Sequence, residues 1–217
     1  MKTRTIPGPR GPFLIPAEPE ATSMHAERCC RSVFEGEYSY PRERIEDVRT
    51  IVDLGANCGA FAVWAMTWWP EIRNYHGYEP NLDALGLLEA NFRSAGGLPG
   101  NWDMHPFLVT SRTNDVLGLT DDENWGARRL TKFPREVSRL MHPRDLPAAD
   151  VLKIDVEGNG GEIAFNYPHW SGVKVCMYES HNAEERATLQ SACSYAGLRM
   201  VRGNPLAPDC DVRTWAR

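Results

Sequence analysis

The chain has 217 residues with a formal net charge of −5, 24% charged and 42% apolar side chains, which suits a single globular core. That balance leaves no basic footprint, so nucleic acid is not an expected partner. No apolar run reaches the ~18 residues of a membrane span and no hydrophobic signal core opens the chain, so no membrane partner and a cytoplasmic location are expected.

The six cysteines, Cys29, Cys30, Cys58, Cys176, Cys193 and Cys210, show no C-x-x-C spacing and read as reduced thiols, with packing favoured over a redox or metal role for the adjacent Cys29 and Cys30. Residues 1–30 carry Pro7, Pro9, Pro12, Pro16 and Pro19, a density that argues against regular structure and predicts an extended arm. Residues 31–217 are expected to form one domain. From Arg49 onward, short apolar runs alternate with amphipathic segments, the signature of βαβ units in a mostly parallel sheet.

Thr50-Ile51-Val52-Asp53-Leu54 reads as the first strand and Gly55 as its stop; Phe61, Trp64, Ala65 and Trp68 then share a helical face until Pro70. On that face Trp64, Trp68 and Trp69 read as core packing. A second strand spans 75–79, followed by a helix with Leu85, Leu88 and Phe92 in phase, closed by Gly96-Gly97. The third strand is expected within 105–110. Residues 112–146 are polar and irregular, with one short helix through Val137, Leu140 and Met141, and read equally as a substrate lid or a surface loop. A fourth strand covers 150–155 and a fifth 173–179. Asn182 and Glu185 suggest a capping-box variant opening a helix with Leu189, Cys193 and Ala196 in phase, and 198–201 with 212–215 suggest a closing hairpin.

Ligands of such sheets sit beyond the carboxyl ends of the strands. There the first strand gives Asp53-Leu54-Gly55-Ala56-Asn57-Cys58-Gly59, whose glycines let backbone pass close to a small molecule. A pyrophosphate cofactor wants G-x-G-x-x-G; here Asn57 replaces the second glycine and Asp53 adds a carboxylate. Acid beside the turn suits a cationic ligand instead, and S-adenosylmethionine (SAM) carries an ammonium and a sulfonium but no phosphate. Glu79, 24 positions after Gly55, ends the second strand where a carboxylate accepts hydrogen bonds from ribose hydroxyls. Pro80 and Asn81 would follow the adenine edge, and Thr110 would line the base pocket.

These residues resemble a known family. Ile51-Val52-Asp53-Leu54-Gly55-Ala56-Asn57-Cys58-Gly59-Ala60-Phe61, Gly77-Tyr78-Glu79-Pro80-Asn81 and Leu152-Lys153-Ile154-Asp155-Val156-Glu157-Gly158 are similar to the three signature blocks of the FkbM-type methyltransferases, and Glu35-Gly36-Glu37-Tyr38 resembles the segment preceding them. The resemblance, over roughly residues 32–182, implies a Rossmann-like class I methyltransferase fold with a seven-stranded, mostly parallel sheet flanked by helices. It implies O-methylation of a small-molecule hydroxyl on a sugar, polyketide or other secondary metabolite, with Asp53, Gly55, Asn57, Gly59 and Glu79 binding SAM and Tyr38 touching it. The chain departs from the family after the third block, where Gly158-Asn159-Gly160-Gly161 stands before Glu162.

Methylating a hydroxyl requires a base. Asp155 and Glu157, leaving the fourth strand, and His181, leaving the fifth beside Glu179, are the catalytic candidates. The same residues also have a plainer reading as helix caps with Lys153 as a partner, behind the catalytic one for Asp155 and Glu157, and could instead hold a divalent cation. N-methylation, a peptide or RNA acceptor, and a non-catalytic SAM-binding partner subunit stand as alternatives. The oligomeric state is left open.

Overall fold

The structure, a computed structural model, describes residues 1–38, 45, 47–97, 100–112, 115, 117–120, 130–131, 138–207 and 210–217. In chain order it contains strands β1 (Thr3–Gly8) and β2 (Gly11–Pro16), helix α1 (Glu20–Phe34), β3 (Thr50–Leu54), α2 (Ala60–Trp68), β4 (Asn74–Tyr78), α3 (Leu82–Ser94), β5 (Asn101–His105) and β6 (Phe107–Val109). There follow β7 (Gly118–Leu119), β8 (Leu130–Thr131), β9 (Arg139–Met141), β10 (Val151–Ile154), α4 (Gly160–Asn166), β11 (Val175–Ser180), α5 (Ala183–Tyr195), β12 (Arg199–Ala207) and β13 (Cys210–Ala216).

The main sheet has seven strands in the order β12-β13-β11-β10-β3-β4-β5. β11, β10, β3, β4 and β5 pair in parallel, and only the pairings of β13 are antiparallel. The expected Rossmann-like, mostly parallel sheet with its closing hairpin is therefore present. The central strands read as unbroken apolar runs because both faces are covered. Ile51, Tyr75, Val151 and Met177 face α2 on one side, while Val52, Leu54, Leu152 and Tyr178 face α4 and α5 on the other.

The third strand lies at 101–105 rather than within 105–110. It is the edge strand, and only alternate residues, Trp102 and Met104, pack on the core, so no apolar run marks it. The expected run instead forms β6, which pairs with β9 outside the main sheet. Leu140 and Met141 thus lie in a strand rather than a helix; Val137 falls outside the described residues, as does much of 112–146.

The N-terminal segment is also regular, which corrects the extended arm. β1 and β2 form a two-stranded ribbon, where each strand keeps one free edge, so Pro7 and Pro12, paired with one another, need no ladder donor. Its Ile6, Phe13 and Ile15 bury against Val63 of α2 and Leu87 of α3. Asn91 fixes the join: its side chain accepts from Leu14 N at 2.6 Å and donates to Leu14 O at 2.8 Å and Cys58 O at 2.9 Å. The boundary expected at residue 30 falls inside α1. This layer explains why α2, with residues 61–66 all buried, has no polar face. No helix among the described residues is long and apolar enough to cross a membrane.

Candidate active site

A cavity of about 560 Å³ opens over the carboxyl ends of β3, β4, β10 and β11, a size typical of small-molecule sites. Its floor is the turn after β3. Gly55 there has φ +78°, and a Cβ on it would lie 1.8 Å from the Asp155 carbonyl oxygen, so only glycine lets the ends of β3 and β10 approach this closely. Asn57 (φ 46°) and Gly59 (φ 89°) are also left-handed, and Gly59 caps α2.

Glu79 stands at the end of β4 with both carboxylate oxygens oriented: one accepts from Asn57 N and the other from Asn81 N, each at 2.9 Å. Each oxygen retains a lone pair. Burial pushes the Glu79 carboxyl up to about 7, although the two backbone donors and Lys153 oppose the rise. Asn81 then opens α3, its side chain accepting from Asp83 N and Ala84 N.

Beneath the floor lies a buried charge cluster. Lys153 Nζ donates to Gly55 O at 2.7 Å and meets Asp53 at 3.1 Å and Asp155 at 3.3 Å. Burial alone would lower this ammonium's pKa, but the two carboxylates outweigh it and hold the group above its ordinary value. Asp53 is fully buried and takes a further hydrogen bond from the Tyr75 hydroxyl at 2.6 Å. It does not reach the cavity; its carboxylate holds Lys153, and Lys153 holds the turn.

On the other side of the turn, the Tyr38 hydroxyl donates to Asp155 at 3.4 Å. Burial raises Asp155, with Lys153 drawing it down and Glu179 pushing it up. Glu37 in the same wall is pushed up to about 7 by burial and by Glu179 and Asp155. His181 lies 3.5 Å from Glu157, 3.5 Å from Glu179 and 3.6 Å from Glu185. Burial favours its neutral form, but the surrounding carboxylates prevail and push its pKa up to about 11. A proton held this firmly suits a counter-ion to these carboxylates. Atoms of Asp155, Glu179 and His181 converge within 4.8 Å, yet a divalent ion here would have to displace that proton and compete with Lys153.

Among the residues singled out in the sequence, Tyr38, Gly55, Asn57, Glu79, Pro80, Asp155 and Glu157 line the cavity. Thr110 does not: its hydroxyl donates to Glu162 at 2.9 Å, and Ser111 N donates to the same oxygen, so Glu162 anchors the chain after β6. The glycines after the third block have a packing reason. A Cβ on Gly160 would meet Glu185 at 2.9 Å and one on Gly161 would meet Thr188 at 3.1 Å, so they let α4 lie close against α5.

Sequence reasoning missed the roof. Helix α1 contributes His25, Arg28, Cys29 and Ser32 to the cavity. The available signal was the stretch between Pro19 and Gly36, free of proline and glycine, in which Thr22, Ser23, Cys30 and Val33 are the buried positions. Cys29 is exposed and Cys30 buried, and all six thiols are free. Phe107, Leu108 and Val109 form an apolar wall.

No family model matches the chain, and no curated protein matches it by sequence. Solved structures do. An O-methyltransferase family 2 protein from Planctomyces limnophilus, in complex with apigenin, superposes with a TM-score of 0.50 at 10% identity, over 90% of this chain and 60% of that one. An O-methyltransferase family protein from Burkholderia thailandensis gives a TM-score of 0.50 at 10% identity, over 91% of this chain and 58% of that one. At such identity the likeness is one of fold, and the fold is that of the Rossmann-like class I methyltransferases.

Proposed function

We propose that this protein is a SAM-dependent methyltransferase of the FkbM-like type that methylates a hydroxyl on a small-molecule acceptor. The observation that carries the reading is Glu79, a buried carboxylate with each oxygen held by a backbone N–H and a lone pair left for a ribose hydroxyl, beside a turn that only glycine can make. The fold favours the same ligand, since such sheets bind nucleosides at this switch point.

In this reading Glu79 grips the ribose, the Gly55 to Gly59 turn receives the amino-acid end, and Pro80 with the Phe107 to Val109 wall packs on the base. Asp53, Gly59, Asn81 and Thr110 support that surface from behind. When bound, SAM supplies the methyl group from its sulfonium. Asp155 and Glu157 lie at the reacting end with Tyr38, which orients Asp155. The hydroxyl proton passes to a carboxylate; burial raises Asp155 and Glu37 as it does Glu79, and of the three Asp155 and Glu37 are not engaged with the ribose, which suits them to act as a general base. His181 positions Glu157 and Glu179 as their counter-ion.

A second reading is favoured by the wall's charge. Among the described residues Glu37, Glu79, Asp155, Glu157 and Glu179 face the cavity, against Arg28 and a His25 whose pKa burial lowers, and such a wall draws cations. An amine acceptor is therefore the alternative to a hydroxyl.

Calorimetric titration with SAM tests the core of the proposal. The parent should bind, and Glu79→Ala should bind about 30-fold or more weakly, since a hydrogen bond to a charged group contributes about 2 kcal/mol. No binding at millimolar SAM, or a Glu79→Ala variant equal to the parent, would remove it. Labelled-methyl transfer into separate alcohol and amine pools then decides between the acceptors.

A further inference from the structure

We propose that His76, Asp103 and His105 form a binding site for a divalent transition-metal ion of the zinc class at the edge of the sheet, independent of the methyltransferase reading. β4 and β5 pair in parallel with His76 directly opposite Asp103 and Tyr78 opposite His105. Side chains alternate along a strand, so His76, Asp103 and His105 share one face. A ligand atom from each lies within 4.8 Å of the others, and His76 Nδ1 is 3.6 Å from Asp103 Oδ2.

Donors around a tetrahedral ion at about 2.0–2.1 Å stand about 3.3 Å apart. The ligand atoms lie within about an ångström and a half of that spacing, and the Asp103 side chain, 57% exposed, has room to rotate toward the two rings. His105 Nε2 is buried and has no hydrogen-bond partner among the described residues, an arrangement that is unfavourable unless something supplies one. The His105 ring is fixed by stacking on Tyr78, with centroids 4.4 Å apart and planes at 16°, and lies 5.8 Å from the His76 ring.

Two imidazoles and one carboxylate select zinc, cobalt or nickel over magnesium or calcium, which prefer oxygen-only shells. Three protein ligands leave a position for water. Such an ion would tie edge strand β5 to β4. It would also brace the cofactor side, because His105 O accepts from Glu79 N at 3.0 Å.

The test is titration of the purified, chelator-treated protein with Zn²⁺ by calorimetry and with Co²⁺ by visible absorption. Asp103→Asn changes an exposed side chain, and His105→Phe keeps the ring stacked on Tyr78, so both retain the fold, checked by circular dichroism. Glu179→Gln serves as the control for the Asp155, Glu179 and His181 cluster. The expected result is one equivalent bound by the parent and by Glu179→Gln, with tetrahedral Co²⁺ bands, and at least tenfold weaker binding by Asp103→Asn and His105→Phe. No binding by the parent, unchanged binding by those two variants, or loss in Glu179→Gln alone would overturn the assignment.

Discussion

Replacing Lys153 with methionine would separate the energetic role of the buried cluster from its geometry. The side chain is 3% exposed and its ammonium meets Asp53, which is fully buried, at 3.1 Å. Methionine keeps the bulk but leaves the Asp53 charge with only the Tyr75 hydroxyl, and the Gly55 carbonyl without its 2.7 Å donor. Breaking a buried pair from one side costs about 3–5 kcal/mol. At about 2–4 °C per kcal/mol for a domain of this size, Lys153→Met should melt roughly 6–20 °C below the parent by circular dichroism. Neutralising the stranded charge with Asp53→Asn in the same chain should restore about 2 kcal/mol or more, because the penalty is that of an unpaired buried ion. A Lys153→Met variant within about 1 kcal/mol of the parent, or a double variant less stable than the single, would show that the buried pair does not carry this energy.

Gly55→Ala should yield no folded protein that binds SAM, since its Cβ would sit 1.8 Å from a backbone oxygen, whereas Gly158→Ala, at φ +86° with open space around it, should cost only about 1–2 kcal/mol; equal urea midpoints for the two would contradict this. Glu79, displaced from 4.5 to about 7 by burial, retains a proton in the folded state that the unfolded chain has released. Its contribution to stability therefore falls as pH rises through that window, by up to about 3 kcal/mol. Urea titrations from pH 4 to 8 should show a shallower decline for Glu79→Gln than for the parent, and parallel curves would refute it. SAM affinity, if the carboxylate grips the ribose, should rise across pH 7. His181, raised from 6.5 to about 11, contributes stability that is complete below pH 6.5 and declines toward pH 11. A neutral ring at pH 8 by nitrogen chemical shifts would overturn this charge state.

Most of the site's floor was legible from local sequence. Val52 and Leu54 alternate with Ile51 and Asp53 to fill two faces, and Gly55, Asn57 and Gly59 occupy left-handed positions that their residue types tolerate. Glu79 could be placed because the end of a strand is also the edge of the crevice. These features depend on short-range sterics and period-two patterning, which a single segment carries by itself.

The remainder was decided by contacts between distant segments. The prolines of β1 and β2 argued for an extended arm, but Val63 and Leu87 needed covering, and Phe13 and Ile15 supplied it from some fifty to seventy positions away. The edge strand β5 lacks an apolar run because only one of its faces is needed. Lys153 and Asp53 meet across neighbouring strands, and the charge of His181 is set by Asp155, Glu157, Glu179 and Glu185 together. Local sequence determined where the backbone could turn and which faces were apolar; only the assembled fold determined which charges were buried beside one another, because electrostatic energy depends on distance and desolvation in space rather than on separation along the chain.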